Sequence, residues 1–317
     1  MKILLIANPS AGHGRAGRLL TEISDISRDL GLEVDTRLTE RPGHATEIIE
    51  AENLTRFDGV VATGGDGTVF EAVNGLFRNP AGPAVPFGVL PMGTGNSFSR
   101  DLGLKRGEVR EALELIAGGT TRKVDVGHCR TGNRDLYYLN ILGLGFVSDV
   151  TATASKLKLL GNASYTLGVI YRTAFLGTFR LELELDGGVI ERETTFLEIS
   201  NSRFTADFLM APEAKIDDGL LDVTLLGKIS RRRLLRLFPT LASTRRSTSS
   251  AKPRSGDIFL AWGVSPRICR QTNFSAPEGR QIIRCGVSRS VSRPIICRRS
   301  AACLWVGGPE PGADAPG

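Results

Sequence analysis

No stretch of this chain is apolar for long enough to cross a bilayer, which takes roughly 20 consecutive apolar residues; its runs are short and broken by glycine, proline or charge. Cysteine is scarce, five in 317 residues, at spacings that match no zinc signature, and a disulfide framework is out of place in the cytosol. An export signal is also missing. Met1-Lys2-Ile3-Leu4-Leu5-Ile6-Ala7 begins like one but reaches Asn8-Pro9 too soon, so it reads as a first buried strand and the cytoplasm is the expected compartment. Acidic residues run out late in the chain. Residues 1–222 hold 23 Lys and Arg against 30 Asp and Glu, whereas residues 223–317 hold 17 against 4. The length suits two domains of about 150 residues each.

What the chain has is glycine, placed after strands. Phe57–Ala62 is apolar and valine-rich, as a buried parallel strand requires, and Thr63-Gly64-Gly65-Asp66-Gly67-Thr68 follows it. Gly64, Gly65 and Gly67 let main-chain N–H groups approach a ligand closely. Thr68 and Glu71 have the spacing of a capping box at the start of the next helix. A helix N-terminus behind a glycine turn suits phosphate. Asp66 is the odd member, because a carboxylate beside phosphates needs Mg²⁺ or a proton between them. The alternative is an ordinary strand-to-helix turn with a capping Thr. A Walker A loop is excluded, since no Lys-Ser/Thr pair follows the glycines.

Two further turns repeat this pattern. Strand Lys2–Ala7 leads into Asn8-Pro9-Ser10-Ala11-Gly12-His13-Gly14-Arg15, with a helix expected over Gly17–Leu30; strand Pro86–Pro91 leads into Met92-Gly93-Thr94-Gly95-Asn96-Ser97. Glu33–Leu38 reads as a strand and Ala45–Asn53 and Arg106–Ala117 as helices. Ligands of open α/β sheets sit at the carboxyl ends of strands, where these turns would gather. His13 reads as a turn residue rather than a ligand. From Arg122 the texture becomes β-rich, with strands expected at Val124–Gly127, Leu136–Asn140, Phe179–Asp186, Thr194–Ser200 and Leu220–Leu226. Asp186-Gly187-Gly188 is a hairpin signal, and Thr151–Phe175 reads as one helical insert. Pro212–Val223 is a turn dense in carboxylates: either a hard-cation site or a solvated hairpin.

These residues resemble the diacylglycerol kinase catalytic-domain family, particularly its soluble bacterial lipid kinases. The resemblance rests on Asn8-Pro9-Ser10-Ala11-Gly12, Gly64-Gly65-Asp66-Gly67-Thr68, Pro91-Met92-Gly93-Thr94-Gly95-Asn96, Asp125-Val126-Gly127, Asn140 with Gly143-Leu144-Gly145-Phe146, and Asp217-Asp218-Gly219-Leu220-Leu221-Asp222. It covers roughly residues 1–240. The Gly64–Thr68 loop alone is shared with NAD kinases and, loosely, phosphofructokinases. The resemblance implies an α/β plus β protein: a Rossmann-like, NAD kinase/diacylglycerol kinase-like N-terminal domain over residues 1–121, then a β-sandwich lipid domain over 122–242, with the active site between them. It implies ATP and Mg²⁺ as cofactors and ATP-dependent phosphorylation of a diacylglycerol or related lipid hydroxyl; a sphingoid-base or other lipid-alcohol kinase and an inactive nucleotide- or lipid-binding protein are the alternatives. By resemblance, Asn8, Pro9, Ser10, Ala11, Gly12, Thr39, Gly64, Gly65, Asp66, Gly67, Thr68, Val69, Phe70 and Thr94 line the nucleotide. Asp66 acts near the catalytic Mg²⁺. The main-chain carbonyls of Lys215 and Leu220 and the carboxylate of Asp218 hold a second, structural Mg²⁺. The implied partner is a lipid at a membrane surface, by peripheral association; no nucleic-acid partner is expected, and a homodimer is left open.

The chain departs from the family pattern twice. Ser97 stands where many relatives have Asp, and no Asp-Gly-Glu turn supplies the family's general base; Glu278 in Ala276-Pro277-Glu278-Gly279-Arg280 is the nearest candidate. Residues 243–317 are enriched in Arg, Ser and Cys, with a Pro/Gly/Ala-rich end at Pro309–Gly317 that has the composition of disorder. A helix is expected just before, over Arg231–Leu241, and a strand within, at Ile258–Trp262. Three readings of this tail remain: a diverged but folded end of the sandwich, a basic arm for an anionic surface, or a reading frame shifted near Ser243. The last accounts for all three enrichments together.

Overall fold

The computed structural model describes residues 1–131, 134–156, 163–185, 188–205, 208–236, 258–264, 280–284 and 302–305. They form two compact units that divide between Val124 and Asp125, with a late strand returning to the first.

The first unit is built on a sheet whose centre is parallel. β1 (Lys2–Ala7), β3 (Gly59–Gly64) and β4 (Phe87–Pro91) are almost wholly buried, as their unbroken apolar runs predict. β2 (Glu33–Leu38) lies at the edge, where polar residues face water. The strand order is β2-β1-β3-β4, completed by β16 (Ala302–Trp305) and β5 (Thr121–Val124). β16 runs parallel to β4 and antiparallel to β5. The connections use α1 (Ala11–Arg18), α2 (Leu20–Asp29), α3 (His44–Ala51), α4 (Asp66–Arg78), α5 (Ser97–Asp101) and α6 (Val109–Ala117). Strand order reverses between β1 and β3, which makes their carboxyl ends a topological switch point.

The helix after β1 starts six residues earlier than its apolar spacing predicts. Asn8 closes a turn on itself, its Oδ1 accepting from Ser10 N–H at 3.0 Å and its carbonyl from Ala11 N–H at 3.0 Å, so winding begins at Ala11. The helix then breaks at Leu19, whose N–H is shared between the carbonyls of Arg15 and Ala16.

The second unit is organised by β10 (Gly188–Ser200). β9 (Phe179–Leu185) pairs with its first half, Leu185 opposite Gly188, which closes the expected hairpin; residues 186–187 lie outside the described set. β8 (Ile141–Gly145) and β13 (Leu221–Gly227) pair with its second half, β14 (Ile258–Val264) extends β13, and β15 (Arg280–Arg284) lies parallel to β9. Alternation along β10 feeds two cores. Leu197 and Ile199 pack with Leu181, Leu183, Val223 and Leu225 on one face. Phe196 packs on the other with Leu226 and with residues of α7 (Phe146–Lys156) and α8 (Ala163–Ala174). Two short hairpins, β6 (Gly127–Thr131) with β7 (Arg134–Tyr138) and β11 (Phe204–Thr205) with β12 (Phe208–Leu209), complete it.

Two local expectations are corrected. Val124–Gly127 is not one strand, because Asp125 leaves the first sheet to bond the carbonyl of Ile216 at 2.6 Å. The helical insert is two helices, α7 and α8. The helix expected over Arg231–Leu241 is present over 231–236, and residues 237–241 lie outside the described set. Of the tail, Ile258–Val264 is the strand its apolar run predicts, whereas Glu278 and Pro309–Gly317 lie outside the described residues.

Candidate active site

Three turns meet at the carboxyl ends of β1, β3 and β4. Asn8 N–H donates to the carbonyl of Thr63 at 3.0 Å, and Asn8 Nδ2 donates to Thr68 Oγ1 at 3.3 Å across the switch point. The third turn is tied to the second, because Met92 and Gly93 N–H both donate to the carbonyl of Gly64, at 2.8 and 3.1 Å. Glycine is needed where these backbones touch. A Cβ on Gly93 would collide with the Cα of Gly65, and one on Gly12, which has φ +60°, with the carbonyl oxygen of Met92.

Asp66 is the first residue of α4, and its Oδ1 accepts from Ser97 N–H, the first residue of α5, at 2.7 Å. One carboxylate therefore holds two turns in register. Asn96 is the one non-glycine with positive φ (51°) among the described residues; its Nδ2 donates to the carbonyl of Gly93 at 2.8 Å, and its buried Oδ1 has no hydrogen-bond partner.

The capping box is corrected. α4 begins at Asp66 with Gly65 as its N-cap, so Thr68 lies inside the first turn, where its side chain covers Gly64 and bonds Asn8. Glu71 serves α3 instead: its Oε2 accepts from Ala45 N–H at 3.3 Å and its carbonyl from Thr46 Oγ1 at 2.8 Å. Gly43, the N-cap of α3, has no side chain for the purpose. The N-terminus of α4 is likewise left without a capping side chain, and its dipole lies at the switch point.

The other expected nucleotide residues are less uniform. Pro9, Ser10 and Ala11 form the turn, Thr39 follows β2 with its N–H on Ala7, and Thr94 and Phe70 are exposed near the switch point. Gly67 has open space where a Cβ would stand. Val69 is different: its N–H bonds the carbonyl of Gly65 and its side chain is in the core, so it supports the helix. Two guanidinium groups that no sequence motif marks also lie here. Arg106 Nη2 comes within 3.2 Å of where a Gly12 Cβ would stand, and Arg15 Nη2 within 2.8 Å of the same point on Gly107. Both are exposed, and neither has an ion pair among the described residues.

The carboxylate-rich turn belongs to the second unit. Asp218 Oδ1 accepts from Leu220 N–H at 2.9 Å, and Asp125 Oδ2 accepts from Gly219 N–H at 2.6 Å. Asn201 secures Asp125 in turn, its Nδ2 donating to the carbonyls of Asp125 and Leu139, each at 2.9 Å. No three His, Cys, Asp or Glu side chains converge on one point among the described residues, so a cation here would rest on carbonyl oxygens and one carboxylate. Asp222 has its pKa raised by burial first and then by the charges of Asp218 and Glu213, a repulsion that a cation would relieve. Lys215, Asp218 and Leu220, the residues expected to hold a cation, all lie on this turn.

Comparison with known proteins decides the family. Residues 2–129 match the diacylglycerol kinase catalytic domain, and residues 140–249 match the YegS C-terminal NAD kinase beta sandwich-like domain. A curated protein named diacylglycerol kinase from Bacillus subtilis is 30% identical over 236 residues, 74% of this chain and 76% of its own length. The chain belongs to the diacylglycerol kinase family. A Staphylococcus aureus diacylglycerol kinase is 33% identical over 252 residues, 78% of this chain and 77% of its own. The crystal structure of a diacylglycerol kinase from Bacillus anthracis aligns with TM-score 0.59 and 26% identity, covering 83% of each chain. As a family member the chain is an enzyme, a lipid kinase phosphotransferase, with a parallel-sheet first domain and a β-sandwich-like second. Residues 250–317, most of the atypical tail, lie beyond both family matches.

Proposed function

We propose that this kinase transfers the γ-phosphate of ATP to a hydroxyl of diacylglycerol or a closely related lipid, working from the cytoplasm at the face of a membrane. The observation that carries this reading is the meeting of three glycine turns at a sheet switch point, with Asp66 clasping the second to the third. Phosphoryl transfer asks a protein mainly for positioning and charge neutralisation. The turn N–H groups and the α4 N-terminus would cradle the phosphates, with Arg15 and Arg106 adding positive charge from the side of the first turn. Asp66 would orient the reacting groups, and Thr94 would border the nucleotide. Bound Mg²⁺ would offset phosphate charge here and brace the Lys215–Leu220 turn in the second domain. Glu278 is the proposed acceptor of the lipid hydroxyl's proton.

Ser97 favours a second reading. It puts a hydroxyl where many relatives have a carboxylate, which would suit a different lipid alcohol, such as a sphingoid base. Incubation with labelled ATP, Mg²⁺ and defined lipids separates the two. Label in phosphatidic acid is the expected result; label only in a sphingoid-base phosphate selects the second reading. ATP binding with no labelled lipid would leave a nucleotide-binding protein.

A further inference from the structure

One carboxyl of the second unit has no part in the site described above. Glu198, in the second half of β10, is 0% exposed. Strand alternation puts it on the face of β10 that carries Phe196 and Ser200, opposite Gly143 of β8 and Thr224 of β13. Its Oε1 accepts from Thr205 Oγ1 at 2.8 Å and from Ser200 Oγ at 3.1 Å, while its Oε2, also buried, has no hydrogen-bond partner. A buried oxygen without a partner calls for an explanation.

Among the described residues no cation faces it. β8, β11 and β12 bring no ionisable residue, and the one on β13 is Asp222, opposite Ser200 and of the same sign. On β10 itself, Glu191, Arg192 and Glu193 are exposed. α7 and α8 cover this face around Phe196, yet Asp149 and Tyr171 are exposed and Arg172 Nε donates to Thr153 Oγ1 at 2.7 Å. Arg203, just before β11, lays its guanidinium over the ring of Phe204, 5.4 Å from its centre. Burial therefore pushes the Glu198 pKa up to about 7 against the pull of the two hydroxyls, and no charge contributes. With its proton the carboxyl is neutral and tolerates the interior. Without it a full charge is buried with one oxygen unmet, which is far costlier unless water enters.

The wall that yields most readily is the one to which Thr205 belongs. β8, β10 and β13 are joined by continuous ladders, whereas the β11–β12 hairpin has two register pairs, Phe204 with Leu209 and Thr205 with Phe208. So short a hairpin is marginal by itself, and elements held by few bonds open first. The carbonyl of Arg203 closes its base, accepting from the N–H groups of Met210 and Ala211 at 3.0 and 3.2 Å. The carboxylate-rich turn begins at the next residue, Pro212.

We propose that Glu198 is a proton-operated latch on the β11–β12 hairpin: protonated, it keeps Thr205 fastened against β10; ionised, it gives its proton to solvent, admits water to Oε2 and lets the hairpin open. Opening loosens the entry to the carboxylate-rich turn. The inference rests on the second unit alone and holds whichever lipid the kinase takes.

Hydrogen exchange of the full chain near pH 6 and pH 8, corrected for the intrinsic pH dependence of amide exchange, tests it. A carboxyl held at about 7 when closed and at its ordinary value when open raises the opening constant roughly tenfold between these conditions. In the parent, amides of residues 203–211 should lose about that much protection while those of β1 and β13 keep theirs. Glu198→Gln, neutral and of the same shape, should stay protected at both. Thr205→Val should be less protected than the parent already near pH 6. Far-ultraviolet circular dichroism confirms that each variant is folded; if Glu198→Gln is not, the parent profile and Thr205→Val decide. Equal protection of 203–211 at both pH values in the parent overturns the proposal, as does a loss spread evenly over both units. So does a folded Glu198→Gln that loses protection as the parent does, or a Thr205→Val variant protected like the parent.

Discussion

The carboxylate of Asp66 is held by the main-chain N–H of Ser97 at 2.7 Å, so the acid proposed to orient the reacting groups is also the clasp between the turns after β3 and β4. An amide oxygen can accept the same bond. Asp66→Asn should therefore keep the fold and remove only the charge. Activity should fall by about 10²-fold or more, the usual scale for a lost electrostatic group, with the melting temperature nearly unchanged. A labelled-ATP assay beside a thermal melt checks both, and near-parental activity at matched stability would end the assignment.

Gly93→Ala should act through sterics. The added methyl has to push Gly65 away, opening the seam between the second and third turns. Nucleotide affinity should drop together with stability, the latter by about 1–3 kcal/mol, as overpacking typically costs. Calorimetric titration with ATP and a denaturant curve would show it; unchanged binding would mean that the seam is not part of the nucleotide site.

Asp218→Ala tests the cation on the second unit. A ligand bound only by the folded state raises stability by mass action, so the parent should melt higher in Mg²⁺ than in EDTA and the variant should lose most of that difference. A shift of the same size in both proteins would leave the turn a simple Asx turn.

Glu198 makes stability depend on pH. It is fully buried in β10, and burial pushes its pKa up to about 7, against hydrogen bonds from Thr205 and Ser200 that pull it down. Between the ordinary carboxylate range and that value the folded chain holds a proton that the unfolded chain has released. Stability should therefore fall as pH rises across this window and level off above it, by up to about 3 kcal/mol. Glu198→Gln should melt like the parent near pH 5 and higher than the parent at pH 8. A parallel pH profile in the two proteins would show that Glu198 is not the group responsible.

Legibility in the sequence followed how local each cause is. β1 is predicted to the residue because a parallel strand buried on its faces writes an unbroken apolar run, and the turns show themselves by glycine. The Thr68–Glu71 spacing misled because both side chains are claimed from a distance, by Asn8 and by the first turn of α3. Arg15 and Arg106 were invisible for the same reason: only folding sets them beside Gly107 and Gly12. Glu198 leaves a signal in the sequence, a charged residue in the middle of Phe196-Leu197-Glu198-Ile199. The helical insert reads as one element because its apolar texture does not separate α7 from α8.

β16 sits between β4 and β5, so the first unit has a strand from the end of the chain inside its sheet. During synthesis the first 124 residues emerge with β4 unpaired on one side and β5 without its neighbour. That gap stays open until the ribosome has passed Trp305. The most aggregation-prone interval for this protein is thus set by translation of everything in between, and slower elongation across that span lengthens it.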